Sequence, residues 1–202
     1  PGQKPADFRE SLEKALALGV KHLSLYSLIV EENTPFYERY HDHPELLPNE
    51  DELAEMDDDA HWMTADAGLE RYEISNYAVP GFECRHNLIY WTRRDYLGVG
   101  CAAASLMHNC RWTNAATLEG YMRGEKSNLQ KIGPDEQRFE RLMLGLRLVD
   151  GVDWGDQETF NIYEEKLHKL RNEGLCDWDD EHLWLTPRGL DLQNRVLTEL
   201  ME

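Results

Sequence analysis

The sequence predicts a mixed α/β protein that ends in a small, helical, winged-helix-like module. Residues 6–18 place Phe8 and Leu12 on one stripe at helical spacing, and the mostly apolar run KHLSLYSLIV over residues 21–30 follows directly. This order predicts a helix and then a buried strand, which together form half of a repeating α/β unit. Residues 134–202 instead combine amphipathic helical patterns with a short hairpin.

Between these two parts the sequence passes from regular elements to an irregular, aromatic stretch. Thr34 and Pro35 predict the cap and the first position of a short helix, and a second helix is expected from about residue 49 to 67. The segment RYEIS predicts a short strand. Residues 76–111 are rich in glycine, small residues and aromatics without a simple period, which is typical of a binding loop or the wall of a site. TNAATLEGYM then predicts a short helix.

The polar, turn-rich segment 124–133 is the predicted linker before the C-terminal module. A helix is expected over residues 134–151, and DQETF and IYEEKLHKLRNEG predict two further helical pieces. TPRGLDLQNRVLTELM predicts a closing helix with a threonine cap and a proline at its first position. The predicted hairpin LCDWDDEHLWLT sets two residues of one strand against two of the other: Cys176 and Trp178 against Leu183 and Leu185.

Composition narrows the class of protein. The chain of 202 residues has a formal net charge of −18, and residues 41–70 hold eleven Asp and Glu without any Lys or Arg. Such a field repels phosphate backbones, so we expect no nucleic-acid partner. The four cysteines are scattered without a CxxC pair, and no signal peptide or apolar run of roughly 20 residues is visible, which favours a cytoplasmic protein. The start PGQKPADF, without methionine, leads us to expect a piece of a longer protein.

The segment HNLIYW, residues 86–91, is the strongest candidate for a binding motif. On a helix, His86 and Tyr90 would share one face, and Asn87 and Trp91 would lie one position further round. An imidazole beside flat aromatic rings suits a haem, which needs an axial ligand and apolar contacts on its faces. The alternative interpretation is that both aromatics pack in the core and the histidine is a surface residue. Cys84 is a second soft ligand or simply a buried thiol.

Several stretches together resemble the HemW-type family, radical-SAM relatives of oxygen-independent coproporphyrinogen III oxidase. They occur in the family's order along nearly the whole chain. The segments that carry the resemblance are PGQ, LSLYSLIVEENTPFY, YEISNYAVPGFECRHNLIYW, DYLGVG and the C-terminal LMLGLRLVDGV, GL and LWLTPRGL.

The resemblance implies both an architecture and a set of site residues. Residues 1–123 would be the second half of a radical-SAM α/β barrel, and residues 134–202 the family's winged-helix-like C-terminal domain. HNxxYW is the family's haem motif, which here falls on His86, Asn87, Tyr90 and Trp91, with His86 as the iron ligand. The resemblance also implies that Gln3 and Lys14 contact S-adenosylmethionine.

The sequence departs from the family at two points. The family's CxxxCxxC motif is absent, so this chain alone cannot hold the [4Fe–4S] cluster that cleaves S-adenosylmethionine in the full-length proteins, and we expect it to be inactive alone. Many relatives carry a histidine near Ala104, so any ligand role of that position is lost here.

Three functions compete on the sequence. The first is a haem chaperone that passes haem to a client protein such as a respiratory enzyme; a membrane-associated client and a homodimer are left open. The second is oxygen-independent coproporphyrinogen III oxidase, a radical-SAM oxidative decarboxylase of porphyrin biosynthesis. HNxxYW favours the first, because an iron-free porphyrinogen needs no axial ligand. Nucleic-acid binding is disfavoured, since residues 134–202 carry eight Lys and Arg against seventeen Asp and Glu.

Overall fold

The computed structural model describes residues 1–201 and contains two compact units. The first unit is Pro1–Glu83, and the second begins at Cys84. All strand pairings in the three described sheets are antiparallel. None of the helices in residues 1–201 has both the length and the apolar composition needed to cross a membrane.

Three α-helices, one short 3₁₀ helix and three strands make up the described elements of the first unit. In chain order they are α1 (Pro5–Ala17), β1 (His22–Ser24), α2 (Pro35–Tyr40), the 3₁₀ helix Pro44–Leu46, α3 (Glu50–Asp66), β2 (Glu70–Glu73) and β3 (Asn76–Ala78).

The helices of the first unit begin where the sequence predicts them. Thr34 caps α2 by accepting a hydrogen bond from the Tyr37 N–H, and Asn49 caps α3 in the same way from Glu52. Because α1 and α3 pack together, their apolar faces close a small core with β1 and β3. The buried members of that core are Leu12, Ala60, Met63, Leu69 and Tyr77.

The predicted buried strand over residues 21–30 is wrong in length and in burial. Only His22–Ser24 is a strand, and it pairs with β3 in the order β1-β3-β2. After Leu25 the chain is irregular, and Tyr26 and Ile29 are 70% and 73% exposed. The apolar run therefore has the composition of a buried strand, but within the described residues no neighbouring strand pairs with its second half.

The second unit holds six α-helices and six strands among the described residues. In chain order they are α4 (Arg85–Trp91), β4 (Ala104–Met107), β5 (Cys110–Asn114), α5 (Leu118–Met122), β6 (Lys126–Lys131), α6 (Pro134–Gly145), β7 (Val152–Asp153), α7 (Gln157–Asn172), β8 (Cys176–Trp178), β9 (His182–Leu185), α8 (Pro187–Asp191) and α9 (Gln193–Met201).

The segment predicted as a linker contains a strand. Lys126–Lys131 pairs with β5 as the edge of the sheet β4-β5-β6, and all six of its residues are exposed. KSNLQK lacks the alternation of apolar and polar residues that marks a half-buried strand, so the pattern gave no strand signal. The two compact units divide at Cys84, and the boundary proposed at residues 124–133 stays a prediction.

The C-terminal module contains the predicted hairpin but differs in its helices. Cys176 pairs with Leu185 and Trp178 with Leu183, as expected, and β7 adds a third strand in the order β7-β9-β8. The two helical pieces predicted after residue 156 are one helix, α7, and the single closing helix is divided into α8 and α9. The expected helix over 134–151 ends earlier, at Gly145, where the absence of a side chain lets the backbone lie against Val152 of β7.

Candidate functional site

Helix α4 carries the HNxxYW segment and ends in a tight, well-defined cap. Arg93 adopts a left-handed conformation with φ of 50°, its N–H donates to the Tyr90 carbonyl, and the Arg94 N–H donates to the Ile89 carbonyl. These two bonds form a Schellman motif, which glycine usually occupies because other residues strain the backbone there. At this position the Arg93 side chain makes a specific interaction.

A buried carboxylate supplies that interaction. Glu140 on α6 accepts from Arg93 Nε at 2.9 Å and from Arg111 Nη2 on β5 at 2.8 Å. Arg93 Nη1 also donates to the Asn109 side chain at 2.9 Å. Glu140 is 5% exposed, so its charge depends on these two arginines for compensation. The cluster fixes the end of α4 against α6 and the β4–β5 turn.

His86 lies on the open side of α4, next to Tyr90. The imidazole is exposed, its Nε2 lies 3.1 Å from the Tyr90 hydroxyl, and the two rings meet edge to face with centroids 4.9 Å apart. Tyr90 in turn contacts Tyr96 at 4.7 Å between centroids. The predicted i, i+4 pairing of His86 and Tyr90 is confirmed, and Tyr96 extends the aromatic surface.

Trp91 faces a different environment. The Arg147 guanidinium carbon lies 4.2 Å above its ring centroid, a cation–π contact that covers one ring face. The Trp91 Nε1–H is buried and has no hydrogen-bond partner in the described residues. Asn87 is half-buried. The two aromatic residues of the motif therefore have different partners: Tyr90 contacts Tyr96 on the His86 side, and Trp91 contacts Arg147.

The two residues expected to contact S-adenosylmethionine lie in the first unit. Gln3 lines a mainly apolar groove of about 180 Å³ together with Phe8 and Tyr26. Lys14 lies on the exposed side of α1, where its Nζ pairs with Glu10 at 2.5 Å, and it does not line that groove. The structure thus places Gln3 at a groove that could receive a ligand, and it leaves Lys14 paired with a neighbour on the same helix.

The cysteines do not fit an iron–sulfur cluster. No disulfide joins any two of them in the described residues, and they differ in environment: Cys101 is exposed, Cys84 and Cys110 are half-buried, and Cys176 is buried. Burial raises the pKa of the Cys176 thiol to about 12, so it is protonated and a poor ligand at neutral pH. No three cysteines have the CxxxCxxC spacing, and no reaction step through a cluster is assigned to this chain.

Comparisons with known proteins support the family resemblance. Residues 132–192 match the family model described as the HemN C-terminal domain. The chain is 31% identical over 211 residues to a protein named heme chaperone HemW from Lactococcus lactis, covering 100% of this chain and 56% of the relative. It is 37% identical over 215 residues to a protein of the same name from Synechocystis, covering 100% of the chain and 51% of the relative.

A solved structure shares the fold. It is that of the radical-SAM enzyme coproporphyrinogen III oxidase (HemN) from Escherichia coli, with a TM-score of 0.76 and 16% identity over 99% of this chain and 52% of the solved chain. The chain spans about half the length of the curated relatives it matches. The resemblance to the HemW-type family is confirmed along the whole chain, and its fold is the mixed α/β fold of the HemN relative.

Sequence reasoning missed the residues that surround α4. Tyr96 could have been found, since it belongs to DYLGVG, one of the segments that carry the resemblance. Arg147 belongs to such a segment too, LMLGLRLVDGV, but its contact with Trp91, 56 residues earlier, had no signal. Glu140 lies in none of these segments, and its partner Arg93 is 47 residues earlier.

Proposed function

We propose that this chain is the C-terminal part of a haem chaperone and that α4 binds the haem iron through His86. The observation that carries the proposal is an exposed imidazole held edge-on by Tyr90 on a short helix. The relatives named heme chaperone HemW, similar over the whole chain, support the same function.

The contact with Tyr90 suggests which ring nitrogen binds iron. With Nε2 protonated and donating to the Tyr90 hydroxyl, the lone pair of Nδ1 is left for the metal. Such a second hydrogen bond fixes the tautomer of a ligating histidine and raises its basicity. Tyr90 and Tyr96, which contact each other, would supply apolar ring surface to a bound haem.

The finer architecture is also a proposal. Residues 1–123 would complete a radical-SAM barrel with a preceding segment, and the exposed Tyr26 and Ile29 support this because other barrel strands would cover such a face. Residues 134–202 would form a winged-helix-like domain, supported by the helices around the sheet β7-β9-β8. Gln3, which lines the groove, would contact S-adenosylmethionine. Lys14 would contact the same cofactor once its ion pair with Glu10 is broken. S-adenosylmethionine and the cluster would together supply the radical chemistry of the intact protein.

The partners follow from the proposed activity. A chaperone needs a haem-accepting client, which we propose to be a respiratory enzyme reached from the cytoplasm, including one attached to a membrane. A homodimer of the intact protein belongs to the same proposal and is checked by its mass in solution.

A haemin titration followed at the Soret band tests the haem site. Wild-type chain should saturate near one equivalent, and His86→Ala should bind at least about tenfold more weakly because the axial ligand is lost. His108→Ala is the matched control, since His108 is also an exposed histidine of the second unit. Equal binding by wild type and His86→Ala would contradict the proposal.

The second candidate is coproporphyrinogen III oxidase activity, which the shared fold with the HemN enzyme favours. Product analysis of the full-length protein with coproporphyrinogen III separates the two functions. Haem binding without decarboxylated product supports the chaperone, and turnover of the porphyrinogen supports the enzyme.

A further inference from the structure

The loops before α7 and between β8 and β9 line an open cavity of about 680 Å³ in the C-terminal module. Three aromatic residues line it: Trp154, Phe160 and Trp178. The Trp154 and Phe160 ring centroids are 5.1 Å apart at 89°, and those of Phe160 and Trp178 are 6.1 Å apart at 56°. Phe160 therefore joins the two tryptophans into one aromatic wall, in which Trp154 is only 5% exposed.

Acidic side chains make up half of the lining. Five of the ten described lining residues carry carboxylates, and none of these ten is a lysine or arginine. The five are Asp153, Asp156, Asp179, Asp180 and Glu181. An aromatic wall under a rim of one charge sign favours a cation, which gains both charge–charge and cation–π attraction.

The carboxylates divide into two groups. In the first group, Asp153 accepts from the Gly155 N–H, Asp156 from the hydroxyl and N–H of Thr159, and Asp179 from the Glu181 N–H. These hydrogen bonds lower the pKa of the Asp156 and Asp179 carboxyl groups and keep them ionised. Asp180 and the Glu181 side chain are exposed and make no hydrogen bond or ion pair in the described residues. The first group shapes the loops, and the second is available to a ligand.

The arginines near this region are already engaged. Arg138 pairs with Asp135 at 2.9 Å and with Glu158 at 3.1 Å, and Arg141 donates to the main-chain carbonyl of Trp154. They act on Asp156 through space but do not line the cavity. The rim therefore keeps a net negative charge.

Trp178 already takes part in one contact between a cation, an aromatic ring and a carboxylate. The Arg171 guanidinium carbon lies 4.5 Å from the Trp178 ring centroid while Arg171 Nη2 pairs with Asp177 at 2.7 Å. A guanidinium is thus held between an indole ring and a carboxylate on strand β8. The cavity brings together the same kinds of group, aromatic rings from Trp178 and Phe160 and the unpaired carboxylates of Asp180 and Glu181.

We propose that this cavity binds arginine or lysine side chains of a basic peptide segment in a partner protein. Its volume exceeds that of one guanidinium, and its carboxylates belong to two separate loops, so a peptide with more than one basic residue fits it better than a single small cation. The strongly negative chain complements such a segment and repels anionic partners. The inference holds whether or not α4 binds haem.

Fluorescence anisotropy tests the site with a labelled, capped Gly-Arg-Gly-Arg-Gly peptide and the 202-residue chain. The ligand control replaces both arginines by citrulline, which keeps the shape and removes the charge. The protein variant is Asp180→Asn with Glu181→Gln, and its matched control is Glu164→Gln with Glu165→Gln, which removes the same charge from exposed positions on α7 away from the cavity.

We expect saturable binding of the arginine peptide, about tenfold weaker binding by the Asp180 and Glu181 variant, and a change of less than about twofold in the α7 control. The citrulline peptide should show no saturable binding. Equal weakening by both variants would overturn the proposal, because it would show attraction to net charge alone. Equal binding of the citrulline peptide would overturn it as well, because the site would then not select a cation.

Discussion

The first unit and the C-terminal module of the second unit differ in how completely they bury apolar side chains. In the module, Leu142, Leu146, Leu175 and Leu183 are all 0% exposed. In the first unit five residues form the buried core cluster, while large apolar side chains such as that of Tyr26 remain in solvent. The module closes its own core with local helices and a three-stranded sheet, whereas the first unit leaves one apolar segment uncovered.

The difference shows which apolar sequence patterns predict burial correctly. An amphipathic helix in the module finds its partners within about seventy residues of chain, so its apolar stripe is buried as predicted. The run after Leu25 has the composition of a buried strand but gains that structure only when another strand pairs with it. Three predictions concern the packing of these regions, ordered by the size of the expected change, and the second compares the two regions directly.

The buried charge cluster should be the costliest to break. Glu140→Gln removes the carboxylate charge that Arg93 and Arg111 share, and it should lower the free energy of unfolding by about 3–5 kcal/mol because a buried arginine is left uncompensated. Urea denaturation measures the change. The control is Glu158→Gln, an exposed partner of Arg138, for which we expect at most about 1 kcal/mol. Equal losses would show that the cluster is not a buried network.

Truncations in the two regions should differ in the same assay. Leu142→Ala in the closed core should cost about 2–5 kcal/mol, since it removes buried methyl groups and leaves a cavity. Ile29→Ala in the uncovered segment should stay within about 0.5 kcal/mol, since that side chain is largely in solvent already. A cost for Ile29→Ala that matches Leu142→Ala would erase the contrast.

The buried Cys176 thiol should make the free energy of unfolding depend on pH in the alkaline range. The folded pKa of Cys176 is raised to about 12 from an ordinary value of 9.0. Above pH 9 the unfolded chain loses this proton while the folded chain keeps it, so this contribution to stability falls as the pH rises from 9 towards 12. Unfolding measured at several pH values should show a shallower fall for Cys176→Ala than for wild type. The half-buried Cys110→Ala should keep the wild-type slope, and an unchanged slope in Cys176→Ala would contradict the assignment.

Much of the fold could be predicted because its signals are local. Thr34 caps α2 and Thr186 caps α8 through bonds to residues three positions on, and the β8–β9 register follows from alternation across a short turn. The exposed edge strand Lys126–Lys131 carries no apolar face, so it read as a linker. The ends of single helices depended on contacts such as that of Gly145 with Val152, which no local pattern encodes.

The candidate site was predicted only in part, for the same physical reason. The spacing of His86 and Tyr90 predicts their contact, because four residues bring side chains together on a helix. The orientation of Trp91 under Arg147 and the tether of Arg93 by Glu140 depend on tertiary packing over long sequence separations. Contacts within a motif can be predicted from its helical spacing. The distant residues that hold the motif in place can be identified only from the folded structure.

Electron paramagnetic resonance of the ferrous nitrosyl haem complex is the measurement that decides whether His86 ligates the iron. An imidazole nitrogen bound opposite nitric oxide adds a resolved hyperfine splitting, so the spectrum reports whether a histidine ligates the iron. We predict that the wild-type complex shows this splitting, that His86→Ala lacks it, and that added free imidazole restores it. A splitting that persists in His86→Ala without added imidazole would contradict ligation by His86 and would return the HNLIYW helix to a packing role.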